Sequence, residues 1–154
     1  MEDISNERIE RAVEVNASPA RVWRALVDHK EFGQWFGVKL GSSFIVGQPT
    51  RGNITYPGYE HIVMEVVVQK MEPERLFSFS WHPYAIDPMV DYSSEEPTLV
   101  EFTLHKTSGG TRLTVSESGF GKIPAWRRDE AFRMNGGGWT EQMKNIHAHL
   151  EKNP

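Results

Sequence analysis

Hydrophobic and polar positions alternate over residues 8–16, where Ile9, Val13 and Val15 stand among charged neighbours, and this two-residue period predicts a half-exposed strand. Ser18 and Pro19 then predict a helix start, because serine accepts the orphan amides of the first turn and proline is tolerated at the first helical position. In that helix Val22 and Leu26, with Trp23, Ala25 and Val27 beside them, make a wide apolar face. A second short helix is predicted over residues 30–36, ending near Gly37. Strands are predicted at residues 44–46, 52–56, 62–71, 76–81, 99–106 and 111–116. Turns at Pro57-Gly58, Pro73-Glu74 and Gly109-Gly110 separate them, and most connections are too short for parallel crossovers, so the strands form an antiparallel meander.

Parity then assigns faces. Phe77, Phe79 and Trp81 share one side of their strand, and Val100, Phe102 and Leu104 alternate with Glu101, Thr103 and His105, so the bulky sides face inward. In the last strand Leu113 and Val115 point inward, and one further step of the alternation places the carboxylate of Glu117 on the same apolar face. The final helix begins near Pro124 and carries Phe132, Gly136, Trp139, Met143, Ile146 and Leu150 as one stripe. Each of the glycines 136–138 costs about 1 kcal/mol against alanine in a helix interior. They are therefore expected to serve close packing, a kink or room for a ligand.

Composition narrows the function classes. The 154 residues suit one domain, spanning 1–154, that buries roughly 70% of its unfolded surface. A net charge of -4 supplies no basic footprint for nucleic acid. Without cysteine, disulfides, thiolate catalysis and thiolate metal sites are excluded, in keeping with a cytoplasmic location. The acidic start lacks the features of a signal peptide, and no stretch reaches the ~18 apolar residues of a membrane span, so membrane insertion is not expected. His147 and His149 are two apart and diverge on a helix, while His29, His61 and His105 are scattered, so no metal site is expected. Neither glycine-rich segment has the phosphate-cradling pattern, and Glu117-Ser118-Gly119 lacks the first glycine of a nucleophile elbow.

The ordered series Ser18-Pro19-Ala20-Arg21-Val22-Trp23, Trp35-Phe36, Glu72-Pro73-Glu74-Arg75-Leu76, Ser80-Trp81, Gly109-Gly110-Thr111-Arg112-Leu113, Glu117-Ser118-Gly119-Phe120 and Gly138-Trp139 resembles the motifs of the SRPBCC (START-like) superfamily. Within it the chain is similar to homologues of the activator of the heat-shock-protein ATPase, from about Glu7 to Leu150. The stretch from Trp81 to Pro88, with Asp91-Tyr92 and Glu96-Pro97, resembles a bacterial subgroup described as uncharacterised or polyketide-cyclase-like. The resemblance implies an α+β helix-grip fold: a curved antiparallel sheet around a long C-terminal helix, two short helices after the first strand, and a cavity between sheet and helix. No cofactor is expected.

Three functions follow as expectations. The first is binding of a small apolar or aromatic molecule in a cavity lined by Trp23, Trp35, Phe77, Phe79, Trp81 and Phe102, and on the far side by Leu113, Val115, Phe132, Gly136 and Trp139. The second is a cyclase or dehydratase with Glu117 as acid or base and a Tyr or His partner. The third is a co-chaperone contact with a heat-shock ATPase, weakened because the activators resemble this chain only in their C-terminal part and carry an added N-terminal domain. Glu117 is the leading ionisable candidate, against a bland role in which it bonds a helix terminus or an arginine. His82 is placed at the cavity mouth or in a plain turn beside Pro83. Tyr56, Tyr84 and Tyr92 offer hydroxyls to a polar ligand group or cover sheet edges. Arg127 and Arg128 either clamp an anionic ligand or pair with Asp129 or Glu130. The proline- and acid-rich loop 82–97 is read as a lid or as the contact of a homodimer.

Overall fold

In the computed structural model, residues 7–154 are described. The chain runs β1 (Arg8–Val15), α1 (Pro19–Val27), α2 (His29–Phe36), β2 (Val38–Leu40), β3 (Pro49–Ile54), β4 (Val63–Glu72), β5 (Leu76–Trp81), β6 (Thr98–Thr107), β7 (Gly110–Ser118), a 3-10 turn (Phe120–Lys122) and α3 (Ala125–Lys152). All seven strands join one sheet in the order β1-β7-β6-β5-β4-β3-β2, antiparallel at every pairing. Five of those pairings are successive hairpins, and only β1 beside β7 joins distant parts of the chain. Helices α1 and α2 carry the chain from one sheet edge to the other. This is the α+β helix-grip architecture.

Local chemistry explains the helix boundaries. Ser18 Oγ accepts from the Arg21 amide at 3.2 Å with Pro19 next in line, and Asp28 Oδ1 accepts from the amides of Lys30 (3.0 Å) and Glu31 (3.1 Å). Gly37 ends α2 at φ 91°, a left-handed conformation that glycine adopts without a Cβ penalty.

One expected strand is absent. Residues 44–46 form a loop in which Phe44 is buried while Ile45 and Val46 are exposed, so the apolar run supplies one core anchor and no sheet face. The strand nearest to that position is β2, where Val38 pairs with Ile54 and Leu40 with Gly52. The neighbouring strand also lies earlier than 52–56, at Pro49–Ile54.

The long helix α3 lies against β1 and α2 and buries Ala131, Trp139, Met143, Ile146 and Leu150. It runs unbroken through its glycines. Gly137 and Gly138 face open space, whereas a Cβ on the buried Gly136 would come 3.3 Å from the Arg11 guanidinium. Arg11 crosses there from β1 and donates through Nε to Thr140 Oγ1 at 3.0 Å. Of the three glycines, Gly136 is thus the one that packs against a neighbouring side chain.

Between sheet and helices lies a filled aromatic core. Phe77, Phe79 and Phe102 are fully closed from solvent, with ring centroids 5.9–6.1 Å apart. Trp35 meets Phe102 edge-on and donates its Nε1 to the Ala25 carbonyl at 2.8 Å. These rings make the floor on which the site is built.

Candidate functional site

Strand parity carries Glu117 into the core, where it is 0% exposed. Glu117 pairs in register with Val100, and two residues earlier on β6 stands Thr98, opposite Trp81 at the end of β5. From the helix side come Asn135 and Trp139, four residues apart and hence on one face of α3. All four donate to the carboxylate. Trp81 Nε1 (2.7 Å) and Thr98 Oγ1 (2.5 Å) reach Oε2, while Asn135 Nδ2 (2.9 Å) and Trp139 Nε1 (2.8 Å) reach Oε1. Two indoles and a primary amide nitrogen can only donate, so four donors match the acceptor capacity of one carboxylate. Its partners are neither a helix terminus nor an arginine; it is a closed hub that fixes two tryptophans. Asn135 and Thr98 are absent from the sequence-based site, although the need of a buried indole for an acceptor points toward this arrangement.

The cavity lies beyond this hub, at the end of the sheet. Its volume is about 790 Å³, and it is bounded by Phe36, by residues between the end of β3 and the start of β4, by Trp81, His82 and Tyr84 to Ile86, by Tyr92, and by Met134 of α3. It opens to solvent, since Tyr56, Tyr59, Val63, Ile86 and Met134 of its wall are exposed apolar or aromatic side chains. Of the residues singled out from sequence, Trp81, His82 and Tyr84 stand on this wall, joined by Tyr56 and Tyr92. Phe77, Phe79, Phe102, Leu113 and Val115 lie instead in the filled core, with Trp35 and Trp139 nearly closed beside them. Trp23 packs half-buried on the core, and Phe132 meets Phe120 edge-on at 5.2 Å. Gly136 faces Arg11.

Polar groups of the wall are mostly committed. Tyr56 donates to the Phe36 carbonyl at 3.2 Å, a carbonyl that also accepts from Gln142 Nε2 at 2.9 Å. The Tyr92 hydroxyl accepts from the Asp87 amide at 3.2 Å. His82 Nε2 lies 3.0 Å from the Glu95 carbonyl and donates to it. Tyr84 holds a left-handed backbone at φ 52°, a conformation that costs a non-glycine residue energy and concentrates at ligand sites. Its hydroxyl is pushed above the usual phenol range, first by burial and then by the Glu130 carboxylate next to it.

Loop 82–97 is fastened by Arg127, whose partner is neither Asp129 nor Glu130. The Arg127 guanidinium binds both carboxylate oxygens of Glu95, with Nη2 to Oε1 at 2.6 Å and Nε to Oε2 at 3.3 Å. It also donates to the Pro83 carbonyl at 2.8 Å and lies 4.7 Å from the Tyr92 ring centre. Side-chain exposures of 6% and 8% make this a buried pair. Arg128 turns away and donates to the Ile123 carbonyl at 3.0 Å. The pairing of Arg127 with a residue 32 positions away could not be read from helix spacing.

Among the described residues no helix is long and apolar enough to cross a membrane. The fold recurs in solved structures. Protein MLL2253 from Mesorhizobium loti superposes with a TM-score of 0.75 at 22% identity, covering 96% of this chain and 98% of that one. DynU16, a protein of the dynemicin biosynthetic locus, gives 0.71 at 24% identity, covering 94% of this chain and 47% of its own. The Aha1 protein of Colwellia psychrerythraea, solved as a dimer in solution, gives 0.69 at 15% identity over 94% and 96% of the two chains. At such identities the likeness shows the fold alone. No functionally curated protein matches the chain. Residues 16–151 match the family described as Activator of Hsp90 ATPase homolog 1-like protein, and the chain belongs to that family.

Proposed function

We propose that the protein binds a small hydrophobic molecule in the cavity at the end of the sheet. The observation that carries this reading is the concentration of exposed apolar and aromatic side chains, Tyr56, Tyr59, Val63, Ile86 and Met134 among them, on the wall of one cavity of about 790 Å³. Exposed apolar surface gathered in a concave site is stabilised when a ligand covers it, at about 25 cal/mol per Å² removed from water. Trp81 would form the inner wall and Tyr84 and His82 the rim. Glu117 would act through Trp81, since its four hydrogen bonds and zero exposure leave it no direct contact with a ligand. This speaks against the cyclase or dehydratase reading with Glu117 as the acid or base.

The test is a titration with the neutral fluorophore N-phenyl-1-naphthylamine, alongside native and denaturing mass spectrometry of freshly purified protein. The expected result is one bound probe per chain and, in the Ala85→Trp variant, an affinity at least about tenfold weaker, because the added ring occupies the cavity. Met89→Ala, at a 90% exposed position outside the cavity, should bind as the unmodified protein does. Equal binding by Ala85→Trp would overturn the reading.

A further inference from the structure

The cavity wall has a chemical bias that apolar area alone does not require. It presents the rings of Phe36, Tyr56, Tyr59, Trp81, Tyr84 and Tyr92. Each ring face carries the negative end of a quadrupole. Of the lining residues Glu65 is acidic, and none is a lysine or arginine. We propose that the ligand is a hydrophobic organic cation, a substituted ammonium on an aliphatic or aromatic body. This rests on the small-molecule reading above and gives that ligand its class.

The charges surrounding the wall support the assignment. Arg127 approaches Tyr92, but its charge is taken up by the bidentate contact with Glu95, and its Nη1 donates to the Pro83 carbonyl. Arg51 lies 3.0 Å from Glu65, yet the two side chains are 67% and 47% exposed, so water screens that pair and a ligand cation can compete for the carboxylate. At Tyr84 both Glu130 and Arg133 are felt, and the effect of Glu130 is the larger. An anionic ligand would therefore meet aromatic side chains and Glu65, with no lysine or arginine among the lining residues. A cation would meet a wall rich in aromatic side chains, and an ammonium within ~6 Å of a ring centre gains attraction that an uncharged group of equal size does not. The open mouth also matters, because a charged head can remain partly hydrated while it rests on the rings, which limits the desolvation cost of bringing it in.

The experiment compares three probes of equal chain length below their micelle concentrations, decyltrimethylammonium, 1-decanol and decyl sulfate, by calorimetric titration. The cation should bind about tenfold tighter than the alcohol, and the sulfate more weakly than both. Tyr59→Leu and Glu65→Gln should each lower the ratio of cation affinity to alcohol affinity several-fold; both side chains are solvent-exposed, so folding is not at risk. An alcohol that binds as tightly as the cation, with both losing affinity in Ala85→Trp, would overturn the cation assignment and leave the cavity reading standing. Tightest binding of the sulfate would also overturn it. If none of the three binds, both readings fall.

Discussion

Trp81 and Glu117 are joined by a 2.7 Å hydrogen bond that ties the wall of the cavity to the closed core. One edge of the indole faces the carboxylate, and the residue also lines the cavity, packing 5.7 Å from Trp139 and 6.3 Å from Phe36. A side chain at a site's surface is thereby held by an acceptor that solvent does not reach. The hub fixes the wall without being part of it, and three consequences of such arrangements can be measured.

Replacing Glu117 by Gln keeps the shape and exchanges one acceptor oxygen for a donor. The new amide nitrogen is best tolerated beside Thr98, because a hydroxyl can turn in place and accept, whereas on the other side the Asn135 amide would have to flip and the more deeply buried Trp139 indole would lose its acceptor. That orientation leaves the Trp81 N–H without an acceptor at a cost of about 1–3 kcal/mol, or a drop in Tm of about 2–12 °C for a domain of this size. Indole N–H resonances should separate the two tryptophans: Trp81 shifts and loses protection, and Trp139 keeps its position. Equal disturbance of both would disprove the hub as described.

The Arg127–Glu95 pair makes a different demand. Arg127→Ala leaves a carboxylate with only 8% of its side chain exposed and no partner, which costs about 3–5 kcal/mol unless loop 82–97 lifts into water. Limited proteolysis within 82–97 should accelerate. The double variant Arg127→Ala, Glu95→Ala should be more stable than Arg127→Ala alone, because the stranded charge is gone. A loop equally resistant in all three proteins would show that it is held by other contacts.

Acid stability should depend on Glu31. Burial alone would raise its pKa, but hydrogen bonds from His149 Nε2 at 2.8 Å and from Arg21, with a further one from Arg24 at 3.2 Å, outweigh burial and hold it below the ordinary carboxylate value. A carboxylate with a lowered folded-state pKa stabilises the protein above its unfolded value near 4.5, and that contribution is lost as pH falls through the folded value. Glu31→Gln should therefore be less stable than the unmodified protein at pH 7, with the difference shrinking below pH ~4.5 as the unmodified protein loses the contribution. Thermal melts at pH 7, 5, 4 and 3 check this; parallel curves would exclude Glu31.

Strand parity was enough to bring Glu117 inward from the sequence Leu113-Thr114-Val115-Ser116-Glu117, and Ser18, Pro19 and Gly37 were enough to bound the first two helices. The stripe from Phe132 to Leu150 likewise announced α3, of which Trp139, Met143, Ile146 and Leu150 are buried while Phe132 is only half-covered. These features depend on neighbours within about four residues, and side-chain periodicity reports them directly. The same local logic failed at residues 44–46, where an apolar run of strand-like composition became a loop with one anchor, Phe44. It also passed over β2, whose three residues are a strand only because β3 lies beside them.

The sequence by itself determined which side chains face inward and where hairpins turn, because those follow from backbone period and turn chemistry within a few residues. Tertiary structure alone decided that Glu117 would meet Trp81 36 positions away, that Arg127 would take Glu95, and that the aromatic core would be full while the cavity opened at its end. Such meetings depend on the curvature of the sheet and the path of a 16-residue connection from β5 to β6, and no local period encodes them.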